Sequence, residues 1–476
     1  MVNLTQKEYE NKKSLKVIFP MFIKINADEL TPVNIFYKLK GKYKFLLESA
    51  STIGEEGRYS FMGSSPYMLL SSRGENITIN KENETKEKKG KILDYVQGHL
   101  LKKIDNFDLE LPFIGGAIGY IGYDVIRQYE NLPDNNLDEL NLPESYLLFY
   151  KEFICFDHFK NTVLLIHNVF PEDDENYNSV LNKLDAMKSI INEKPVNHEL
   201  IDSSQNKQVI FNYKKEDFCK LVKKAKKYIA AGDIFQVVLS QRLRMKNEVD
   251  PFDVYRKLRR SNPSPYMFYI DFEGFKLAGA SPESLVKVKG NQVITNPIAG
   301  TRPRGENAKE DQQLKEELLN DEKELAEHLM LVDLGRNDIG KISEFGSVKL
   351  DKFMEVEFFS HVMHICSKVS GTLKSGLNCF NALKSCLPVG TVSGAPKIRA
   401  MEIIDELENV RRGIYSGAIG YFSYDGDMDT CIAIRTIVFK DEFAYVQSGA
   451  GIVYDSVPED EYTETLNKAM GLREVL

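Results

Sequence analysis

A protein that mixes helices with strands, built from two related halves, is what this sequence predicts, and three observations predict it. At 476 residues, with 42% hydrophobic and 28% charged content, the chain can bury a large core as one large or two coupled globular units. Strand-like blocks punctuated by glycine occur twice. GSSPYMLLSSRG (63–74) aligns without a gap on GASPESLVKVKG (279–290), and GAIGYIGYD (116–124) matches GAIGYFSYD (417–425). Between these blocks lie segments whose apolar residues recur at helical spacing.

Along the chain, the elements fall into two sets around one polar joint. The opening MVNLTQKEYENKK has no apolar core of a signal peptide. The first copies of the strand blocks follow. Roughly residues 171–208 then hold an acidic, helical stretch and the polar run EKPVNHELIDSSQNKQ, which sets a linker at 193–208 between halves 1–192 and 209–476. After it, KKEDFCKLVKKAKKYIAAG places Phe218, Leu221, Val222, Ala225 and Ile229 at helical spacing, so its lysines read as the wet face of an amphipathic helix rather than an RNA contact. DEKELAEHLMLVDLGRND (321–338) is a further helix, with Leu325, Leu329, Leu331 and Val332 on its apolar face. A last helix opens at Pro458.

Composition removes several functions. A net charge of −8 argues against a general nucleic-acid binder, and no apolar run approaches the roughly 18 residues needed to cross a membrane. Six cysteines, at 155, 219, 366, 379, 386 and 431, form no CxxC and suit reduced thiols. The expected compartment is the cytoplasm.

Two pairs of glutamates carry the sharpest chemical signal. Glu324 with Glu327 and Glu461 with Glu464 are each three apart on a helix, so both carboxylates of a pair share one face. Capping by Asp321 and an i,i+4 pair from Glu464 to Lys468 would explain them without function. If the pairs converge, they offer a hard cation such as Mg²⁺ the oxygen ligands it takes. Neither pair has a counterpart in the first half, and Glu283 in GASPES stands where the first copy has Tyr67. The chemistry is therefore expected after the linker.

The ordered series GASPES, PIAGTRPRG, the first glutamate pair, HVMHICSKVSG, LPVGTVSGAPKIRA, IYSGAIGY, AIRT, SGAGIVYDS and the second pair resembles the chorismate-utilising enzymes over essentially the whole chain, and the anthranilate synthase large subunits among them. The resemblance implies an α+β fold of antiparallel sheets in a sandwich-like core flanked by helices. It implies conversion of chorismate and ammonia to anthranilate and pyruvate by way of aminodeoxyisochorismate, the first committed step of tryptophan biosynthesis. Mg²⁺ would be held by Glu324, Glu327, Glu461 and Glu464. Glu283 would be the general acid at the C4 hydroxyl, His364 the group tied to the elimination, and Thr391 a polar contact nearby. Gly300 and Thr301 of PIAGT, Tyr415, Arg435, Lys468 and the amides of Gly449, Ala450 and Gly451 in a glycine-rich turn would hold the substrate carboxylates.

Two positions bear on the branch of the family. Gln236 stands where the isochorismate branch has a lysine base, and a neutral amide cannot be that base. Ala299 stands where many aminodeoxychorismate enzymes have a nucleophilic lysine, and it offers none. LLES (46–49) and NPSPYMFY (262–269) resemble the segments that bind tryptophan as feedback inhibitor, which implies roles for Glu48, Ser49, Pro265, Tyr266, Met267 and Tyr421. With no glutaminase nucleophile elbow in the chain, a separate glutamine amidotransferase subunit is the expected source of ammonia, in a hetero-oligomer.

Overall fold

The computed structural model describes residues 2–50, 57–82, 84–106, 109–194, 198, 208–359 and 362–476. The expected linker, 193–208, therefore lies largely outside the described residues. Within them the chain forms two twelve-stranded sheets. In the first, five strands of the N-terminal half (Phe19–Asn26, Thr162–Val169, Glu152–Asp157, Tyr59–Gly63, Phe45–Glu48) run on into Tyr266–Asp271, Phe275–Ser281, Thr436–Lys440, Phe443–Ile452 and Gln236–Lys246. In the second, Ala418–Ser423 of the C-terminal half pairs with Gly116–Ile121 of the N-terminal half. Every pairing between these named strands is antiparallel, so the α+β expectation holds and both halves contribute to both sheets.

The internal repeat is visible as pairing. Gly119 and Gly420, equivalent positions of the two GAIGY copies, lie opposite each other in register, so a local dyad passes between them. Glycine is required at both. A Cβ on Gly119 would come 2.0 Å from the carbonyl oxygen of Tyr146, and one on Gly420 2.1 Å from that of Asp429. The other repeat marks where the chain changes sheet. Tyr59–Gly63 and Phe275–Ser281 belong to the first sheet, whereas Met68–Arg73 and Ser284–Lys289 belong to the second. Tyr67 and Glu283 thus occupy equivalent crossovers.

Aromatic and aliphatic side chains from the inward faces of both sheets, including Phe45, Phe61, Tyr120, Tyr150, Phe268 and Ile419, fill the space between them. Helices cover the outer faces, giving the sandwich its flanks. Pro251–Ser261 and Pro458–Arg473 pack on the first sheet, and Glu322–Gly340 and Cys379–Cys386 on the second. Lys215–Ala230 buries Phe218, Val222 and Ala225 and leaves most of its lysines wet, as its spacing predicts.

Glu322–Gly340 departs in one detail from the sequence reading. Asp321 caps it through the amides of Lys323 and Glu324, but Leu329 is exposed, and the buried side is drawn by His328, Leu331, Val332, Asp338 and Ile339. One helical turn further on, the buried stripe has rotated past Leu329. All six cysteines are buried free thiols. No helix among the described residues is long and apolar enough to cross a membrane.

Candidate active site

The two glutamate pairs meet. Glu322–Gly340 and Pro458–Arg473 bring Glu327 within electrostatic reach of Glu324 and Glu464, and Glu461 within reach of Glu464. Burial first, and the facing carboxylates with it, push Glu327 and Glu461 above the usual carboxylate range. Such mutual repulsion in an all-oxygen donor set suits a hard divalent cation. Among the described residues no three of His, Cys, Asp or Glu close to ligand geometry as the side chains stand. Instead, Arg302 bonds Glu324 at 3.2 Å and Lys468 bonds Glu464 at 2.6 Å, and both would yield to a cation.

Glu283 sits at the crossover between the sheets and is 7% exposed. Burial pushes its carboxyl up to about 8, with the Thr391 hydroxyl and the Lys468 charge opposing only weakly. The backbone around it is fixed. Its amide donates to Ser281 Oγ at 3.4 Å, and its carbonyl accepts from Ile432 at 3.0 Å. The Thr391 hydroxyl faces the carboxyl without completing a hydrogen bond. Glu283 is therefore neutral near pH 7 and able to donate.

His364 projects from Val362–Thr372 next to a bulge in the neighbouring strand, Ile298–Pro303, where the register shifts between Ala299 and Thr301. Gly300, at φ +71°, makes that bulge and turns its carbonyl toward the imidazole, 3.0 Å from Nδ1. A carbonyl only accepts, so Nδ1 carries the proton and Nε2 keeps its lone pair. Thr301 Oγ1 lies 3.1 Å from the same nitrogen. Burial lowers the imidazole below its ordinary range, and nearby Arg435 adds to this. His364 is thus a neutral base in a fixed tautomer.

On the anion side, Arg435 has a left-handed backbone at φ +51° and a guanidinium with no hydrogen-bond or ion-pair partner among the described residues. Burial alone depresses it. A buried cation without a partner is costly, and an anionic ligand removes that cost. Tyr415 stands close by. Its loop is tied to that of Arg435 through Ser416 N and Ala433 O at 3.1 Å, and the Arg412 guanidinium lies 5.6 Å from its ring centroid.

The glycine-rich turn expected at Gly449, Ala450 and Gly451 is instead the end of the strand Phe443–Ile452, because it pairs through Gly449–Gly451 with Val238–Ser240. Its other neighbour reaches only Phe443–Val446, so Gly449 and Gly451 lie along a free edge, where Lys468 Nζ bonds Gly449 O at 3.1 Å. A Cβ on Gly449 would come 2.9 Å from Tyr415 Oη, and one on Gly451 2.6 Å from Gln236 Nε2. Gln236 is buried, and its Oε1 has no partner among the described residues.

The expected inhibitor set does not gather on one face. Glu48 and Met267 are register partners whose side chains point to the outer side of the first sheet. Tyr266 and Tyr421 pack on the aromatic cluster between the sheets, Tyr421 with its ring 5.2 Å from Phe113. Adjacent strand residues point to opposite faces, so Tyr266 and Met267 cannot line one pocket with their side chains. Ser49 and Pro265 are half-buried beside them. The Glu48 carboxylate is engaged by Tyr255 Oη at 2.7 Å and Arg259 Nε at 2.9 Å.

Tyr255 and Arg259, four apart on Pro251–Ser261, are partners of Glu48 that sequence reasoning missed. The helical spacing was there to be read, but the strand it faces was not. Arg412 and Glu408 were missed as well. They form a fully buried ion pair at 2.6 Å, and Arg412 also holds the carbonyls of Val392 and Val238, fixing the loop that carries Thr391.

The family model of the chorismate binding enzymes matches residues 75–474. Anthranilate synthase component 1 of Acetivibrio thermocellus is 47% identical, over 96% of this chain and 94% of that relative. The protein of the same name from Aquifex aeolicus is 44% identical, over 100% and 98%. Anthranilate synthase component I from Streptococcus pneumoniae superposes with a TM-score of 0.82 at 40% identity, covering 94% of this chain and 98% of that one. The menaquinone-specific isochorismate synthase of Escherichia coli, 20% identical, shares the fold with a TM-score of 0.74, covering 99% and 98%. The chain belongs to the chorismate binding enzymes.

Proposed function

We propose that the chain converts chorismate and ammonia to anthranilate and pyruvate through aminodeoxyisochorismate, in tryptophan biosynthesis in the cytoplasm. Relatives named for that activity, at 40% identity and above over nearly the full length, support the reaction. The observation that carries the mechanism is that Glu283 is a buried carboxyl held neutral while His364, close to Arg435, is a neutral imidazole with its Nε2 lone pair kept.

Arg435, Tyr415 and the free edge at Gly449 and Gly451 receive the substrate carboxylates. Glu283 gives its proton to the C4 hydroxyl, and the C4–O bond breaks with its electron pair leaving on oxygen as water. Ammonia forms the new bond at C2 as the ring double bonds move from C1–C2 and C5–C6 to C1–C6 and C4–C5, and the nitrogen releases one proton to solvent; the Oε1 of Gln236, unpartnered among the described residues, is an acceptor for one of its N–H groups. Nε2 of His364 then takes the C2 proton as the C3–O bond breaks, and the enolpyruvyl group takes up a proton on its methylene carbon to become pyruvate. Glu324, Glu327, Glu461 and Glu464 would hold Mg²⁺, which supplies charge neutralisation and Lewis acidity at the ring carboxylate.

Ammonia comes from a glutamine amidotransferase subunit in a hetero-oligomer. This chain's own candidate thiol is unsuited to that task. Cys366 Sγ points at the His364 carbonyl 3.8 Å away, and burial holds it far from a thiolate. Tryptophan would inhibit from the Glu48 region, where its ammonium must share or displace Arg259. The test is the purified chain with chorismate, Mg²⁺ and ammonium, with and without tryptophan, and products identified by mass. Anthranilate with pyruvate, suppressed by tryptophan, is the expected outcome. Aminodeoxychorismate or isochorismate as the product would overturn it.

A further inference from the structure

The first half contributes none of the groups assigned to the chemistry, yet it holds the loop that presents Tyr415. That loop, Arg411–Ser416, lies between the helix Lys397–Leu407 and the strand Ala418–Ser423. It bends through left-handed backbone at Gly413 (φ +59°) and Ser416 (φ +67°), and a serine keeps that conformation only where its surroundings over-determine it. On one side Ser416 N bonds Ala433 O at 3.1 Å, in the segment that leads to Arg435. On the other side the partners come from the first half. Leu137 O accepts from Arg411 N at 2.9 Å, Gly413 O accepts from Tyr123 N at 2.8 Å, and Asp124 Oδ2 accepts from Gly413 N at 2.8 Å. Asp124 is 2% exposed, and its Oδ1 accepts from Arg127 Nε at 3.0 Å. Arg127 in turn bonds Asp405 at 2.8 Å. One carboxylate oxygen is thus anchored, and the other is aimed at the loop.

The repeat separates this role from a general need of the fold. Both copies of GAIGY lead into Tyr–Asp, and the amide of Tyr424 reaches Gly115 O across the halves at 2.9 Å, as that of Tyr123 reaches Gly413 O. Asp425, however, is exposed and accepts from Asp427 N in its own turn at 3.2 Å. Of the two aspartates, the one that crosses to the other half is the one beside the Tyr415 loop. We propose that Asp124 is a positioning residue for the substrate. By holding the Gly413 amide it sets Tyr415, and through Ser416 and Ala433 also Arg435, at the spacing the substrate carboxylates require. This rests on Tyr415 and Arg435 receiving those carboxylates.

Asp124→Asn keeps the side chain's shape and supplies the test. An amide has one oxygen, and the charged Arg127 takes it in preference to a neutral N–H, which leaves the NH₂ group facing the Gly413 amide, donor against donor. Calorimetric binding of chorismate, with Mg²⁺ and without ammonium, should weaken at least about fivefold. Amide hydrogen exchange over residues 410–417 of the unliganded chain should quicken at least about tenfold. Adding Arg127→Met to Asp124→Asn removes the competitor and returns the oxygen to Gly413, so this double variant should bind chorismate within about twofold of Arg127→Met alone. Asp124→Ala, which also removes the acceptor, carries the test if Asp124→Asn does not fold, with the same weakening expected. If Asp124 serves only the fold, the melting temperature drops while the folded variant binds chorismate like the wild type, and that result refutes the proposal, as does unaltered exchange at 410–417. A wild type that does not bind chorismate overturns the reading of the site and the proposal with it, whereas a wild type and an Asp124→Asn that bind equally overturn the proposal alone.

Discussion

Replacing Glu283 by glutamine should separate stability from activity in a pH-dependent way. The carboxyl is raised from 4.5 to about 8 by burial. In the unfolded chain it is ionised above pH 4.5, and in the folded chain it stays protonated until about pH 8, so the folded state binds the extra proton across that window. Stability is accordingly full below pH 4.5 and falls as pH rises to about 8. At about 1.4 kcal/mol per tenfold in proton affinity, the loss reaches at most roughly 5 kcal/mol, and about 3 kcal/mol at pH 7. Glutamine has nearly the same shape and no titration. Glu283→Gln should therefore match the wild type at pH 4 and exceed it progressively toward pH 8, while turnover falls by about 10²- to 10⁴-fold. Urea unfolding of both chains at a series of pH values, with anthranilate formation at each, measures this. Parallel stability curves would mean that Glu283 is already ionised in the folded chain, and the general-acid assignment would fall.

Other substitutions test other parts of the site. His364→Ala should let aminodeoxyisochorismate accumulate, with elimination slowed about 10²- to 10⁴-fold, and in the wild type burial should keep that step active below pH 6.5; chromatography of the products decides both. Arg435→Met should raise the KM for chorismate by about 10- to 100-fold without lowering the melting temperature, because the guanidinium it removes has no partner among the described residues. Glu327→Gln should require at least about tenfold more Mg²⁺ for half-maximal turnover, yet fold no less stably, since the carboxylate it replaces is crowded by others. Arg412→Met should cost about 3–5 kcal/mol in denaturant unfolding by stranding Glu408 in the interior.

What the sequence disclosed follows from the range of each interaction. Helical spacing is local, so both glutamate pairs could be read, and so could the wet lysine face of Lys215–Ala230. That the pairs face each other depends on two helices separated by several strands, and no periodicity reports it. The repeat marked Glu283 as the odd residue of its pair, but its neutrality comes from the side chains packed over it and had to be seen. One reading gave way to simple geometry. Gly449–Gly451 is glycine-rich because Tyr415 and Gln236 approach closely, not because the chain turns there. The inhibitor residues are joined by likeness alone, and the strand alternation that turns Tyr266 and Met267 to opposite faces comes from the pairing. The pairing of Arg259 with Glu48 joins a helix to a strand more than 200 positions away and left no local trace.

The duplication also accounts for why only one half is equipped for chemistry. Each copy of the repeat makes the same crossover between sheets, and each crossover creates a niche at the residue after the shared proline. In the first half Tyr67 fills it. Its ring packs edge-on against Phe149 and Phe170, Lys151 lies 5.1 Å from its centroid, and its hydroxyl meets that of Tyr424 at 3.2 Å. In the second half a shorter glutamate lines a small cavity, and the cavity is bounded by a helix that also carries two of the converging carboxylates. The half-buried Tyr67 packs its ring against the core, whereas the buried Glu283 carboxyl beside a cavity is held neutral. The same backbone path thus carries an aromatic ring packed on the core in one half and a neutral buried carboxyl in the other, and the difference lies in one side chain.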